Sequence, residues 1–464
     1  VTGGATFTTP ILNHPTGTEN IGIGTGVFAA IEAGAQYNTA LGSQAAAALT
    51  TGDYNTIIGR IAGDAMTTAS LNDAFGYEAL SSNTTGKRNV AIGVNALKTL
   101  NHTDSTDAYN TAVGNNAGAS MNTGLYNTFI GGLAGDALTT GEGNVAVGYG
   151  ALTAATINNR CTAVGVNALQ NMNNASTGTI DNTAFGANAG GTGVMTGTLN
   201  TLVGVATGLS ITSGNKNSIV GGEAGDALTT GEKNAVLGQG ALSAGTTYDG
   251  NVAIGWEALK VADNTTGSDG NNVAIGADAA SAVTSGLRNV LIGVSCAATL
   301  RTGGGNVMLG QGTDVSAAAA ENQITIGQQI ACDQDSQVTI GKASNVIKNE
   351  FDTDATWTRS SDVRKKKNIE DATLGLDFVN DLRTVTFEWK PNNEFPKDFA
   401  EYSEENHMTT GVTMHGMIAQ EVKSALDKQN VDTFGGWKED NDGSQRLAPV
   451  SYTHLRAHET GRNL

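Results

Sequence analysis

The sequence is poor in the residues that build a conventional large core. Aromatic residues occupy 5% of the 464 positions, charged residues 15%, and there are only 5 prolines. An average globular chain carries about 25% charged residues, so this chain is low in charge. The low proline content excludes a collagen-like chain and a proline-rich linker. The apolar 39% is mostly small residues, so we expect burial in many thin layers and not in one thick centre.

Other missing signals exclude several classes of function. The formal net charge of −18 opposes a nucleic-acid-binding face, which needs basic residues, and it disfavours general binding to an anionic membrane. No run of 18 apolar residues occurs, so no transmembrane helix is predicted. Cys161, Cys296 and Cys332 lie far apart with no C-x-x-C spacing, which predicts free structural thiols and no zinc site. We predict neither a cofactor nor a bound metal.

The two ends of the sequence are unusual. The chain starts at Val1 with no signal peptide, and we expect residues 1–19 to be a fragment whose natural start lies upstream. Residues 450–464 resemble the translation of a sequencing-library adapter, so we expect them to be an artefact. His454 and His458, which are four residues apart like a helical metal pair, therefore receive no weight.

Glycine is abundant, with 62 residues, and it closes a repeated pentapeptide. The pattern is Asn, Thr or Val, a small or apolar residue, a large apolar residue, and Gly, as in Asn38–Gly42, Asn55–Gly59 and Asn144–Gly148. Many successive asparagines are 17 residues apart (55 − 38, 144 − 127), and some are 21 apart (110 − 89). A unit of this length cannot fold alone, but it can form one coil of a solenoid. We predict a β-solenoid over residues 20–341.

The pentapeptide predicts a short strand, and its Gly allows a sharp corner. An Ala such as Ala62 follows three residues after the Gly in most copies, which predicts a tight interior corner. The third and fourth strand positions are both apolar, yet adjacent strand residues face opposite sides. We predict that the fourth, always large (Leu41, Ile58), lines the interior and that the third, of variable size (Ala40, Ile57), faces another subunit. The simplest oligomer is a trimer around a fibre axis; the alternative is a monomer whose loops cover that face.

The repeats resemble the head domains of trimeric autotransporter adhesins and the shafts of phage tail fibres. This resemblance implies a long trimeric shaft. No aromatic cluster or basic patch is evident in the repeats that would mark a receptor site. Asp64, Asp136 and Asp226 recur at equivalent places in the coils; we predict that they cap turns, with cation binding as the alternative.

The composition changes after Lys342. Residues 342–359 are predicted to be a connector, and residues 360–449 a compact α+β domain. Within that domain, Asp371–Leu382 has helical spacing, Thr384–Trp389 alternates as a strand, and Gly416–Val422 leads into a second helix. The whole chain is therefore predicted to be mainly β, with a solenoid (β-roll) shaft followed by a small α+β domain.

The segment that begins the second domain carries a motif with chemical meaning. It resembles the opening motif of the C-terminal intramolecular chaperone domain of phage tail spikes and fibres, the endosialidase-type auto-cleaving peptidase family. The residues that match this family are Ser361, Asp362, Arg364, Lys366 and Ile369, followed further on by Gly416, Gln420 and Glu421.

The resemblance implies that Ser361 is a nucleophile, that Lys366 is its base, and that the chain is cut between Ser360 and Ser361. A serine hydroxyl needs a base to accept its proton. A lysine can act as that base only when its pKa is lowered by burial or by nearby cations. Arg364 and the lysines beside Lys366 are such cations. Five residues of helix would separate the two side chains by about 140°, so a turn or subunit pairing must join them. The competing interpretation is a solvated helix start with Ser361 as N-cap.

These features together predict a structural host-attachment protein. We expect a phage tail-fibre homotrimer, assembled in the host cytoplasm and located in the virion, that contacts other tail proteins and a host cell-surface receptor, for which a glycan is one candidate. It would cleave its own chain once and would not turn over a substrate. Two alternatives stay open: a glycan-degrading tail spike, which needs paired carboxylates in a groove, and a bacterial trimeric surface adhesin, which needs membrane strands.

Overall fold

The computed structural model describes most of the chain. The described residues are 19–173, 180–263, 269–351, 367, 369, 374–399, 402–406, 410–432, 434, 436–439 and 443–447. The chain divides into two compact units, Val1–Ala355 and Thr356–Leu464.

The first unit is a repetitive β-solenoid, which confirms the predicted fold class. Each coil contributes one short strand, and consecutive strands pair in parallel and in register, as Thr128 does with Val145. The three-residue strands are β1 Ile21–Ile23, β2 Thr39–Leu41, β3 Thr56–Ile58, β4 Asp73–Phe75, β5 Val90–Ile92, β6 Thr111–Val113, β7 Thr128–Ile130, β8 Val145–Val147, β9 Thr162–Val164, β10 Thr183–Phe185, β11 Thr201–Val203, β12 Ser218–Val220, β13 Ala235–Leu237, β14 Val252–Ile254, β15 Val273–Ile275, β16 Val290–Ile292 and β17 Val307–Leu309.

Three longer strands finish the sheet. β18 Ile324–Gln328 and β19 Gln337–Lys342 continue the parallel row, and β20 Asn345–Glu350 turns back antiparallel to β19. Residues 345–350 were expected to belong to a connector, and they are instead the last strand of the sheet. The segment Asn345–Glu350 is short and mostly polar. It forms a strand because the edge of β19 offers it unpaired backbone groups.

The predicted assignment of the two strand faces is wrong. The third position of the pentapeptide, such as Ala40 or Ile57, is fully buried, whereas the fourth, such as Leu41, is 43% exposed. The physical reason is that position one shares its face with position three, and the asparagines at position one are buried too.

The interior volume is shared between two positions of each coil. In five coils a small third residue, such as Ala146, accompanies a Leu four residues after the pentapeptide Gly, such as Leu152. Where the third residue is large, as Phe129 is, the second position is Gly135, and a Cβ there would lie 2.7 Å from Phe129 Cε1. The alanine three residues after the Gly, such as Ala134, is buried, as the predicted tight corner requires.

A ladder of buried asparagines runs along the solenoid. In a typical rung, Asn127 Oδ1 accepts from the backbone N–H of Asn144 (2.9 Å) and from its Nδ2 (3.0 Å). Asn127 Nδ2 in turn donates to Asn110 Oδ1 (3.2 Å) and to the Gly141 carbonyl (2.8 Å). Each rung thus closes its own coil and joins it to both neighbours, which satisfies backbone groups that could not reach water.

Within its described residues, the second unit contains two α-helices and two antiparallel strand pairs. The elements are α1 Leu376–Asp381, β21 Val385–Phe387, a 3₁₀ turn Asn392–Glu394, β22 Met414–Gly416, α2 Ala419–Lys428, β23 Trp437–Glu439 and β24 Gln445–Leu447. β21 pairs antiparallel with β22, and β23 with β24. The strand predicted over Thr384–Trp389 is present as the shorter β21. The helix predicted over Asp371–Leu382 is present as α1, and residues 371–373 lie outside the described part.

The core of this unit lies between the two helices. Val422, Ala425 and Leu426 occupy one face of α2 and pack with Phe378 of α1. Phe434 meets the Phe378 ring edge-on, with 6.0 Å between ring centroids. The helix predicted after Gly416–Val422 is therefore present as α2, and its apolar residues at helical spacing form this small core.

Candidate functional site

The predicted catalytic segment lies outside the described residues. Ser360, Ser361, Asp362, Arg364 and Lys366 all fall there, so the distance between the predicted nucleophile and base stays a prediction. Of the same motif, Ile369 is described, and its side chain is 62% exposed.

Gly416 ends strand β22 opposite Val385 of β21. A Cβ at this position would lie 3.2 Å from Cε1 of Phe387, which is tighter than an ordinary van der Waals contact. The Phe387 ring also meets Trp389 edge-on, with 5.4 Å between centroids. Gly416 therefore leaves room for the aromatic pair beside these strands. This packing explains why a glycine occupies this position of the family motif.

Glu421 lies in the first turn of α2 and binds Arg383, which follows α1. Arg383 Nε donates to Glu421 Oε2 at 3.1 Å, and Nη2 donates to Oε1. The hydrogen bond from Arg383 lowers the pKa of the Glu421 carboxyl, and the bidentate pair ties the start of α2 to the end of α1. Sequence reasoning missed Arg383; it has no motif, and only its place between a helix and a strand distinguishes it. The neighbouring Gln420 is exposed.

The outer surface of β21 and β22 forms an open groove of about 470 Å³, lined by Thr384, Thr386 and His415 among others. The described residues contain no group of three or more His, Cys, Asp or Glu that could hold a metal ion. In the shaft, burial raises the pKa of Asp64, Asp136 and Asp226, and the N–H of the alanine that follows each one opposes this. Asp226 Oδ1 accepts from the N–H of Ala227 at 3.1 Å, whereas Asp64 Oδ1 and Asp136 Oδ1 are buried without a hydrogen-bond partner, so the turn-cap role stays a prediction.

The exposed face of the shaft strands is a continuous apolar stripe. In-register pairing places each fourth-position residue beside the next, as Ile130 lies beside Val147. Phe185 is 58% exposed and Leu237 51%. With strands about 4.8 Å apart, the stripe extends over roughly 80 Å. The residues that form it are Ile23, Leu41, Ile58, Phe75, Ile92, Val113, Ile130, Val147, Val164, Phe185, Val203, Val220, Leu237, Ile254, Ile275, Ile292, Leu309 and Ile326.

A second surface feature was missed in the sequence. Tyrosines from successive coils stack on one another in two pairs. Tyr37 and Tyr54 have ring centroids 4.9 Å apart, and Tyr109 and Tyr126 have centroids 6.1 Å apart. Each occupies the position before a ladder asparagine. Aligning the repeats on their asparagines would have revealed both pairs, since one period along the sequence is one step along the shaft.

Comparison with known proteins gives one family match. Residues 361–430 match the family model described as the chaperone of endosialidase. The match starts at Ser361 and includes α1, β21, β22 and α2. No curated protein matches the chain, and no solved structure matches it. Within the described residues, no helix is both long and apolar enough to cross a membrane.

Proposed function

We propose that the chain is the trimeric shaft of a phage tail fibre, with a C-terminal domain that assists trimer assembly and then releases itself. Autoproteolysis between Ser360 and Ser361 would separate the two, with Ser361 as nucleophile and Lys366 as base. The single observation that carries this proposal is the match to the chaperone of endosialidase over residues 361–430, placed directly after a solenoid.

The boundary between the two units agrees with this proposal. The sheet of the shaft ends at Glu350, the shaft unit ends at Ala355, and the family match begins at Ser361. A cut at Ser360–Ser361 would therefore leave the sheet intact and remove the matched region whole. A chaperone domain that is needed only during assembly can be lost in this way without cost to the finished fibre.

The apolar stripe supports the trimer. The fourth-position side chains are exposed or half-buried in the described coils, and exposed apolar surface of this extent marks an interface in soluble proteins. The strands of three shafts can cover one another at a common axis, and the thin interior of each solenoid would then gain a second, shared core. A subunit interface on this stripe replaces the third-position interface that the sequence predicted.

Cleavage is tested on the full chain and on three single variants. Mass spectrometry of the purified full-length natural protein, the parent here, should find a cut between Ser360 and Ser361. Ser361→Ala, which lacks the nucleophile, and Lys366→Ala, which lacks the base, should stay uncut. Ser360→Ala is the matched control, because it removes a neighbouring hydroxyl and should still be processed. Normal processing of Ser361→Ala, or an intact parent, would contradict the dyad.

Trimer formation is tested by sedimentation. The parent should contain three chains per particle. Ile130→Asp combined with Val147→Asp places buried charges in the proposed interface and should dissociate it, because unpaired charges are costly to desolvate. Thr140→Asp, on an exposed position away from the strands, should leave three chains. A monomeric parent with a folded shaft would contradict the interface.

A further inference from the structure

A row of side chains runs along the shaft beside the strands, at the position before each ladder asparagine. Tyr109, Tyr126, Gly143 and Arg160 occupy four consecutive steps of it, all with left-handed backbone (φ 49°, 59°, 66° and 54°). Backbone hydrogen bonds hold the steps together; the N–H of Gly143 donates to the Leu125 carbonyl at 2.9 Å. The side chains of this row therefore follow one another at the strand spacing of about 4.8 Å.

Tyr126 ends an aromatic stack inside this row. The Arg88 guanidinium lies over the Tyr109 ring, 5.4 Å from its centroid, and Tyr109 lies nearly parallel to Tyr126 at 18°. Both faces of Tyr109 are thus occupied. The next step after Tyr126 is Gly143, which has no side chain to cover the second ring face, and the Tyr126 side chain is 58% exposed.

The missing side chain opens a cleft of about 320 Å³, lined by Tyr126, Glu142, Gly143, Asn159 and Arg160. Its far wall is the stem of Arg160, whose Cγ lies 3.5 Å from where a Cβ of Gly143 would be. Tyr126 and Arg160 are two steps apart, about 9.6 Å at this spacing, which leaves room for one flat ring between them.

The polar groups of the cleft are held in place. Arg160 Nε lies 3.0 Å from Asp181 Oδ1 on the next step, so the guanidinium is paired with a carboxylate of the neighbouring coil. The backbone N–H of Glu142 donates to Asn159 Oδ1 at 2.8 Å, which joins the two rim residues. The exposed Glu142 carboxylate extends from the same rim. A pre-organised site of this kind loses little entropy when it binds.

The other glycines of the row show that the open slot is specific to Gly143. Gly250 and Gly305 occupy the same position in later coils. A Cβ on Gly250 would lie 2.5 Å from Asn271 Oδ1, and one on Gly305 would lie 2.7 Å from Asn322 Oδ1. In both coils the next asparagine side chain covers the glycine, and no aromatic residue precedes it.

We propose that this cleft binds one ring of a neutral saccharide, with the apolar face of the sugar on Tyr126 and its hydroxyls on Glu142, Asn159 and Arg160. An aromatic platform with a few convergent planar polar groups suits a ring that has C–H faces and a hydroxyl edge. The class is neutral because Arg160 is already paired with Asp181, Glu142 adds a negative charge, and the chain carries −18. This inference rests on the proposed attachment function and names its ligand class.

Calorimetric titration of the full chain tests the site, with maltotriose, cellotriose and chitotriose as neutral probes and 3′-sialyllactose as the charged one. At least one neutral probe should bind. Tyr126→Ala should weaken that binding at least about tenfold, the loss typical of an aromatic anchor. Gly143→Tyr should also abolish binding, because the new side chain fills the cleft. The backbone accepts a tyrosine here, since Tyr126 adopts nearly the same φ as Gly143. Tyr54→Ala, in the other tyrosine pair, is the matched control and should bind as the parent does.

The outcomes separate the cleft from the attachment function. No binding of any neutral probe, binding of 3′-sialyllactose alone, or unchanged binding by Gly143→Tyr with native circular dichroism would overturn the inference. Adsorption of labelled chain to a panel of bacterial cells is measured in parallel. Adsorption that persists in Tyr126→Ala overturns the cleft and leaves attachment standing, whereas a parent that adsorbs to no cell contradicts attachment itself.

Discussion

Replacing a single rung of the asparagine ladder should cost a large part of the stability of the shaft. Asn127→Ala removes a carboxamide that hydrogen-bonds to the ladder asparagines on both sides, Asn110 and Asn144, and to the Gly141 carbonyl. The change is a suitable test because Asn127 is fully buried and has a ladder asparagine on either side, Asn110 and Asn144.

The magnitude follows from the groups that lose their partner. The N–H of Asn144 loses the Asn127 carboxamide as acceptor, and the Gly141 carbonyl loses it as donor. Two partners keep another bond: Asn110 Oδ1 still accepts from the backbone N–H of residue 127, and Asn144 Nδ2 still donates to the Asn158 carbonyl. Two orphaned buried groups at about 1–3 kcal/mol each give a loss of about 4 kcal/mol.

The assay combines guanidinium unfolding with hydrogen exchange. The free energy of unfolding should fall by about 4 kcal/mol, and local opening should speed exchange of the Asn144 amide by about three powers of ten. Asn122→Ala makes the same chemical change at an exposed position and should cost no more than about 0.5 kcal/mol. Equal effects of the two variants would refute a stabilising ladder.

The natural break in the ladder offers the reverse test. Cys161 occupies a rung: its N–H donates to Asn144 Oδ1 at 3.0 Å, but its thiol cannot continue the ladder to Asn182. The step of 21 residues to Asn182 is no obstacle, because Asn110 bonds to Asn89 across the same spacing. Cys161→Asn should therefore stabilise the shaft by about 1–2 kcal/mol, and a loss of stability would show that the site cannot hold a carboxamide.

Two further predictions concern the shaft interior and its buried carboxylates. Phe129→Ala should cost about 3–5 kcal/mol of unfolding free energy, and adding Gly135→Leu should recover more than half of it, because Ala146 and Leu152 fill the next coil in that way; a double variant no more stable in urea than the single one would contradict shared volume. Asp136→Asn should raise the melting temperature at pH 7, since burial raises the pKa of this carboxyl and its charged form therefore destabilises the fold. The Asp136 carboxyl binds a proton more tightly in the folded parent than in the unfolded chain, so the parent should gain stability as the pH falls through the raised pKa. The difference in melting temperature between Asp136→Asn and the parent should therefore shrink at low pH. A difference independent of pH would contradict burial as the cause.

Local pattern was enough to predict the shaft. The Asn-to-Gly pentapeptide, its 17-residue spacing and the following alanine predicted a solenoid with one strand and one tight corner in each coil, as in β8 with Ala151 after it. This worked because a repeat that contacts only its neighbours leaves no long-range pairing to guess. In the second unit, the apolar spacing of Val422 and Leu426 predicted α2 for the same local reason.

The period, the strand and its two opposite faces follow from the repeat pattern alone, whereas the stacking of the coils selects the face that lies inside. Alternation shows that Phe129 and Ile130 point apart, and both are apolar, so hydrophobicity cannot choose between them. The choice depends on the width of the interior and on the ladder, because Asn127 satisfies its carboxamide only between two stacked coils and carries Phe129 inward with it. The slot at Gly143 is decided in the same way: a glycine and a tyrosine 17 residues apart become neighbours only when the coils stack.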